Sequence, residues 1–334
     1  MNLSNTAINK IGDTIRRGIK DVEYEDSVDA LNVWREAHVK LMDEYYDKCV
    51  RIMLTDESTR NIIVAQRLKR LPTIIGKLNR FKTMRLSSMQ DIAGVRMIVR
   101  DMDQLAEVEK IIRKWKNFER VRDYINDPKS DGYRCKHFIF KKDGMYVEIQ
   151  LRTQMQHIWA TSVETVDIFR SSSMKFGGGE TYWRDFFRQT SSAFAIAEGT
   201  NPVRCYSGKS LNEICTLLKE TMDEHRIGQS LNAIEITKLI SVDEHIEKNA
   251  YYLVLDLDFN KKTCYVASFK EPEYDLAVRE YQTLERKLDQ GKSVVLVSVS
   301  DIKRLDEAYP NYFLNLRFFN ESIKFMLEMN KKRG

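Results

Sequence analysis

The five cysteines, Cys49, Cys135, Cys205, Cys215 and Cys264, include no CxxC pair and no histidine at zinc-ligand spacing. That pattern indicates neither a zinc knuckle nor a disulfide framework, and reduced thiols in a reducing compartment are expected. No stretch approaches the roughly 20 apolar residues that span a bilayer, and Met1 to Lys20 lacks an apolar core of signal-peptide length. The expectation is a soluble, cytoplasmic protein. Internal repeats and low-complexity tracts are missing too. Charge of one sign is in short supply: 54 basic against 49 acidic residues leave +5, which suits phosphate ligands or RNA without requiring either.

What is present is an ordinary globular composition, 43% hydrophobic and 31% charged over 334 residues, enough for two domains. Apolar residues recur at helical spacing from Ser27 to Leu54, and further helices are expected over Ile62 to Leu71 and Ile74 to Phe81. A β-branched run from Gly94 to Val99 reads as a buried strand, followed by a helix capped by Asp103 and running to Trp115. Strands are expected over Phe118 to Ile125, Tyr133 to Phe140 and Met145 to Arg152, the last two joined by the turn Lys142-Asp143-Gly144. Helices over Gln154 to Phe169 and Tyr182 to Ala197 flank a break at Gly177-Gly178-Gly179. The fold class is therefore mixed α/β (α+β), with a first domain over 1–200. Residues 201–334 read as a separate small α+β unit. It has helices at Leu211 to Thr221, Ala233 to Ile240 and Tyr274 to Leu288, and a hairpin of Tyr251 to Asp256 with Thr263 to Phe269 around Asn260-Lys261-Lys262. A strand from Ser293 to Val299 and two closing helices around Tyr309-Pro310 complete it.

Between Arg67 and Arg85 lie seven cations, Arg67, Lys69, Arg70, Lys77, Arg80, Lys82 and Arg85, with no acid. They form either a phosphate-binding surface or a solvated helix face. In Tyr146-Val-Glu-Ile-Gln-Leu-Arg152, strict alternation sets Glu148, Gln150 and Arg152 on one strand face, a functional wall or a merely wet one. Asp91 precedes the buried strand, where a carboxylate reaches a metal or caps a helix. Magnesium takes one or two carboxylates plus substrate phosphates, so Asp91 with Glu148 would suffice. Asp127 to His137 is a turn-rich loop entering a strand that displays Tyr133 and His137, one an aromatic able to stack a base.

These segments occur in the order and spacing of the RelA/SpoT synthetase domain. The resemblance runs through Arg67-Leu-Lys69, Lys77, Asp91-Ile-Ala-Gly-Val-Arg96, Asp123-Tyr-Ile, Gly132-Tyr-Arg-Cys-Lys-His137, Glu148-Ile-Gln-Leu-Arg-Thr153 and His157-Ile-Trp-Ala-Thr-Ser-Val-Glu164, over roughly residues 60 to 200. It implies transfer of the β,γ-pyrophosphate of ATP to a ribose 3′-hydroxyl. Arg67 and Arg96 would sandwich adenine and Lys69 and Lys77 would meet the triphosphate. Asp91 and Glu148 would hold Mg2+, with Glu148 and Gln150 near the acceptor hydroxyl. Tyr133 would stack the acceptor base and His137 would lie beside the phosphates. Asp131 stands where many guanine-nucleotide users carry Asn. The His-Asp hydrolase domain of long family members has no counterpart in the sequence, so synthesis without hydrolysis is expected.

Tyr309-Pro-Asn-Tyr312 either packs a helix corner or, as in CapRel-like fused toxin–antitoxins of phage defence, occludes the adenine site until a phage protein binds. That resemblance implies the 3′-terminal adenosine of tRNA as acceptor. The alternative is GDP or GTP, in an alarmone synthetase making ppGpp or pppGpp. A third possibility is a catalytically silent RNA-binding regulator.

Overall fold

The computed structural model describes residues 4–55, 59–170, 180–236, 240–241, 249–261, 263–288, 292–301, 304–313 and 315–331. Three helices open the chain: α1 (Asn5–Arg17), α2 (Val22–Ala37) and α3 (Val39–Thr55). The long helix expected over Ser27 to Leu54 is thus two. They part at His38, a buried residue whose Nδ1 meets the Trp34 carbonyl at 2.9 Å.

Next come β1 (Ile63–Leu68), α4 (Leu71–Arg80), β2 (Ala93–Val99), α5 (Met102–Ile112), β3 (Phe118–Asp123), β4 (Lys136–Lys142), β5 (Met145–Thr153), α6 (Gln154–Arg170) and α7 (Thr181–Ala197). The Ile62 to Leu71 helix is corrected to strand β1. Its neighbours β2 and β9 (Lys292–Val299) pair with both its edges, and both its faces are covered, Val64 packing on the side of the N-terminal helices and Ile63 on the side of Tyr309 and Tyr312. The helix expected from Asp103 is capped instead by Asp101, whose side chain accepts from the Gln104 N–H, and it ends at Ile112. Strand β4 begins at Lys136, three residues later than expected, which leaves Tyr133 on the loop. The β4–β5 turn is as expected, with Asp143 and Gly144 both at positive φ (52° and 81°). Gly177 to Gly179 lie outside the described residues.

The remaining elements are α8 (Leu211–Glu224), α9 (Ile227–Ile236), β6 (Ile240–Ser241), β7 (Tyr252–Asp258), β8 (Thr263–Phe269), α10 (Tyr274–Glu285), α11 (Leu305–Ala308) and α12 (Arg317–Lys331). Among the described residues nine strands form one sheet, in the order β3-β4-β5-β2-β1-β9-β7-β8-β6. The β2–β5 and β6–β8 pairs are parallel and the others antiparallel. The unit expected over 201–334 therefore has no sheet of its own: its strands extend the first one through β1. Burying Leu253, Val295 and Val297 near that seam stabilises by about 1.5–3 kcal/mol per side chain.

One sheet face packs under α1 to α5 through Val64, Val95, Met97, Ile149 and Leu151, with α10 covering β7 and β9 on the same side. A buried ion pair ties these layers together, Arg35 Nη2 on α2 to Glu285 Oε2 on α10 at 3.0 Å. On the opposite face, α11 and the Tyr309–Tyr312 turn cover β1, β9 and β7, and α6 to α9 pack with α12 beside them. All five cysteines are unpaired, and among the described residues no helix is long and apolar enough to cross a membrane.

Candidate active site

Side-chain alternation decides which residues face the cavity. With Val147, Ile149 and Leu151 under the helices, Glu148, Gln150 and Arg152 on β5 take the other face. Register aligns them with their neighbours: Gly94 on β2 pairs with Glu148, Arg96 with Gln150, and His137 on β4 with Gln150. Arg67 on β1 lies opposite Gly94, whose missing side chain leaves the cavity open between them.

Asp91, just before β2, receives Lys69 Nζ at 2.7 Å and Lys77 Nζ at 2.9 Å. Burial pushes its carboxyl pKa up, but the two ammonium groups outweigh burial and hold it at about 2. Lys69 and Lys77 thus both rest on one ionised acid.

Glu148, 5% exposed, accepts from His137 Nδ1 at 2.8 Å and from Gln150 Nε2 at 2.8 Å. The other imidazole nitrogen of His137 meets the Tyr133 hydroxyl at 2.8 Å. Burial alone would lower the His137 pKa; Tyr133 and Glu148 outweigh it and raise it well above the ordinary value. Glu148 is raised by burial and lowered more by His137 and Gln150, so it stays ionised. A carboxylate so held is a poor proton acceptor, which argues against Glu148 as a general base and for a charge-placing role. Glu148 and Asp91 line the same cavities. Among the described residues no three or more His, Cys, Asp or Glu side chains could hold a metal by themselves. The two carboxylates suit a hard cation that takes its other oxygens from phosphates and water.

Arg67 and Arg96 are occupied. Arg67 Nη1 donates to the Tyr312 hydroxyl, and Arg96 Nη1 donates to the Ala308 carbonyl at 3.3 Å with its guanidinium 5.9 Å from the Tyr309 ring centre. The two tyrosine rings stack at 5.6 Å and 15°, each 2% exposed. Tyr309 also donates to the Gln66 carbonyl at 2.7 Å. The tail is further held by His157 Nε2 on the Glu307 carbonyl (2.7 Å) and by Asn311 Nδ2 on Glu164 (2.9 Å). In the sequence His157 stands only as part of the motif running to Glu164. It proves to connect Arg152, 2.6 Å from its Nδ1, to the tail, a role invisible until α11 is placed.

The loop carrying Asp131 and Tyr133 is braced. Asp131 Oδ1 accepts from the Tyr133 N–H at 2.9 Å. Gly132 has φ +102°, and a Cβ there would sit 2.9 Å from Trp159 Cζ2, so only glycine fits between the loop and α6. Tyr133 meets Lys129, whose ammonium lies 4.7 Å from its ring centre. Of the basic segment, Arg70 is also taken up, donating to Ser293 Oγ.

Residues 66–169 match the family model described as "Region found in RelA / SpoT proteins". GTP pyrophosphokinase YjbM of Bacillus subtilis is 30% identical over a stretch covering 42% of this chain and 67% of that protein. The chain belongs to the RelA/SpoT family. Its synthetase-type domain is the part that carries Arg67, Asp91, Arg96 and Glu148. An uncharacterized protein of Mycobacterium tuberculosis is also 30% identical, over 48% of this chain and 58% of that protein, so the chain spans less than two thirds of that relative. The small alarmone synthetase 1 of Bacillus subtilis bound to its product pppGpp aligns at 24% identity and TM-score 0.42, over 50% of this chain and 89% of that one. That likeness is too distant to assign roles to individual residues.

Proposed function

We propose that the protein is an ATP-dependent pyrophosphokinase that passes the β,γ-pyrophosphate of ATP to the ribose 3′-hydroxyl of GDP or GTP, and that Tyr309 and Tyr312 hold it closed. The observation that carries the activity is the convergence of Asp91 with Lys69 and Lys77, and of Glu148 with His137 and Gln150, on one cavity. Phosphoryl-type transfer depends on alignment and charge neutralisation, and needs no nucleophilic side chain. Arg67 and Arg96 clamp adenine between guanidinium planes once the tyrosines leave. Lys69 and Lys77 exchange Asp91 for the triphosphate. Asp91 and Glu148 would hold a magnesium ion, whose chemistry there is to neutralise phosphate charge. His137 keeps Glu148 ionised while Tyr133 offers its ring to the acceptor base.

A guanine nucleotide is favoured because the relative matched over two thirds of its length bears the name GTP pyrophosphokinase. The tRNA 3′ end is the second reading, favoured by the tyrosine cover on Arg67 and Arg96 and by Asp131; there a phage protein would lift the tail. The test is γ-labelled ATP with GDP, GTP or deacylated tRNA, using the full chain and Tyr309→Ala. The expected result is label on GDP or GTP, at least tenfold faster in Tyr309→Ala. Label confined to tRNA overturns the guanine-nucleotide reading, and label nowhere in either protein overturns both.

A further inference from the structure

A cavity of about 430 Å³ opens beyond the arginine clamp, between α6, α7 and the loop carrying Asp131 and Tyr133. Neither Tyr309 nor Tyr312 lines it, so it stays open with the tail docked. Besides Arg67 and Arg96 it presents Lys129, Arg152, Arg184 and Arg188, against the carboxylates of Asp131 and Glu164. Both acids are engaged: Asp131 accepts from the Tyr133 N–H, and Glu164 accepts from Asn311.

Adenine is uncharged and uses the planes of two arginines, so it leaves this surplus unexplained. Arg152 makes the surplus costly. It is 2% exposed, its Nε has no hydrogen-bond partner, and its Nη2 meets only His157, an imidazole kept neutral by burial and by Arg152 and Arg96. Glu164 acts on Arg152 through its charge, and a buried guanidinium whose Nε still lacks a partner is stabilised further by an anionic ligand. On the rim, Arg188 is spent on the fold, donating to the Ser130 carbonyl at 2.9 Å and pairing with Asp185 at 3.3 Å. Arg184, one turn earlier on α7 and half-buried, has no side-chain partner among the described residues.

We infer that this cavity binds the acceptor's own phosphate groups, with Arg184 as the cation that sets acceptor preference, an inference that rests on the pyrophosphokinase reading. Phosphate offers several oxygens to guanidinium groups arriving from α7 and β5, with bidentate geometry that a single carboxylate cannot supply to both. Those phosphates belong either to a nucleoside 5′-polyphosphate or to the backbone next to a 3′-terminal nucleoside.

The test is calorimetric titration of the full chain, and of Arg184→Glu and Arg184→Lys, with GTP, guanosine and a short single-stranded RNA with a free 3′-hydroxyl. On the Tyr309→Ala background, KM for ATP and for acceptor is measured in parallel. Arg184→Glu is expected to weaken the phosphate-bearing acceptor at least tenfold, with KM for ATP within twofold and the thermal midpoint unchanged; Arg184→Lys retains most binding. Loss confined to GTP assigns nucleotide phosphates, and loss confined to RNA assigns backbone phosphates. Unchanged binding of both, or guanosine binding as tightly as GTP with RNA unaffected by Arg184→Glu, overturns the inference. If no acceptor gains label yet binding falls as stated, the activity fails while the phosphate site stands.

Discussion

On β2, β4 and β5 the sheet face away from α1 to α5 carries Arg96, His137, Glu148, Gln150 and Arg152; on β7 and β9 the same face carries Leu253, Leu255, Val295 and Val297. The two regions share one hydrogen-bonded sheet and differ in what covers them. The apolar end is closed by α11 and the tyrosines, whereas the polar end is left as cavities in which Lys69 and Lys77 lean on Asp91 and Arg152 meets only His157 through its Nη2. Arg67 sits on the border, opposite Gly94 on one side and Val297 on the other, and it is the residue the tail reaches for. A reactive surface can be kept in a fold when a well-packed stretch of the same sheet offsets the cost of its buried charge.

The largest expected effect comes from the polar end. Asp91→Asn leaves Lys69 and Lys77 without their acid and removes a phosphate-facing carboxylate, so the transfer rate of a Tyr309→Ala background should fall on the order of 10³-fold, judging from losses of single charge-stabilising groups. Circular dichroism should show the fold retained; a loss under tenfold would remove Asp91 from the machinery.

At the apolar end Val297→Asp places an unpaired charge at the seam, which should cost about 3–5 kcal/mol. Urea unfolding should show one transition shifted to lower denaturant for both ends together. Two separate transitions would mean the ends fold independently, whatever the continuity of the sheet.

The smallest effect sharpens the contrast through pH. His137 has a folded pKa above its ordinary value of about 6.5, so its stabilisation is complete below that pH and is lost as pH rises through the folded value. The thermal midpoint of the wild type should fall by a few degrees across the alkaline side of neutrality relative to His137→Gln. Parallel curves would show that the His137–Glu148 pair makes no net contribution.

Legibility in the sequence followed how local each signal was. The alternation Val147 to Arg152 put Glu148, Gln150 and Arg152 on one face without any partner strand, because a strand's two faces are set by its own backbone. The turn at Asp143-Gly144 was legible for the same reason. Ile62 to Leu71 misread as helix because β1 is sandwiched between strands, and one of them, β9, meets it at Gln66–Ser298 across 232 residues of sequence. The tyrosine pair is legible as a motif, but its stacking beside Arg96 and its bond to Arg67 depend on where α11 is carried by β9.

The sequence by itself determined the family and the pairing of polar and apolar strand faces, since these depend on short spacings and local backbone geometry. Only the tertiary structure decided that the C-terminal strands continue the sheet, that Asp91 holds two lysines and that Tyr309 and Tyr312 pack against Arg96 and Arg67. Those outcomes are contacts between residues far apart in the chain, and burial, charge and register settle them only once the whole sheet is assembled.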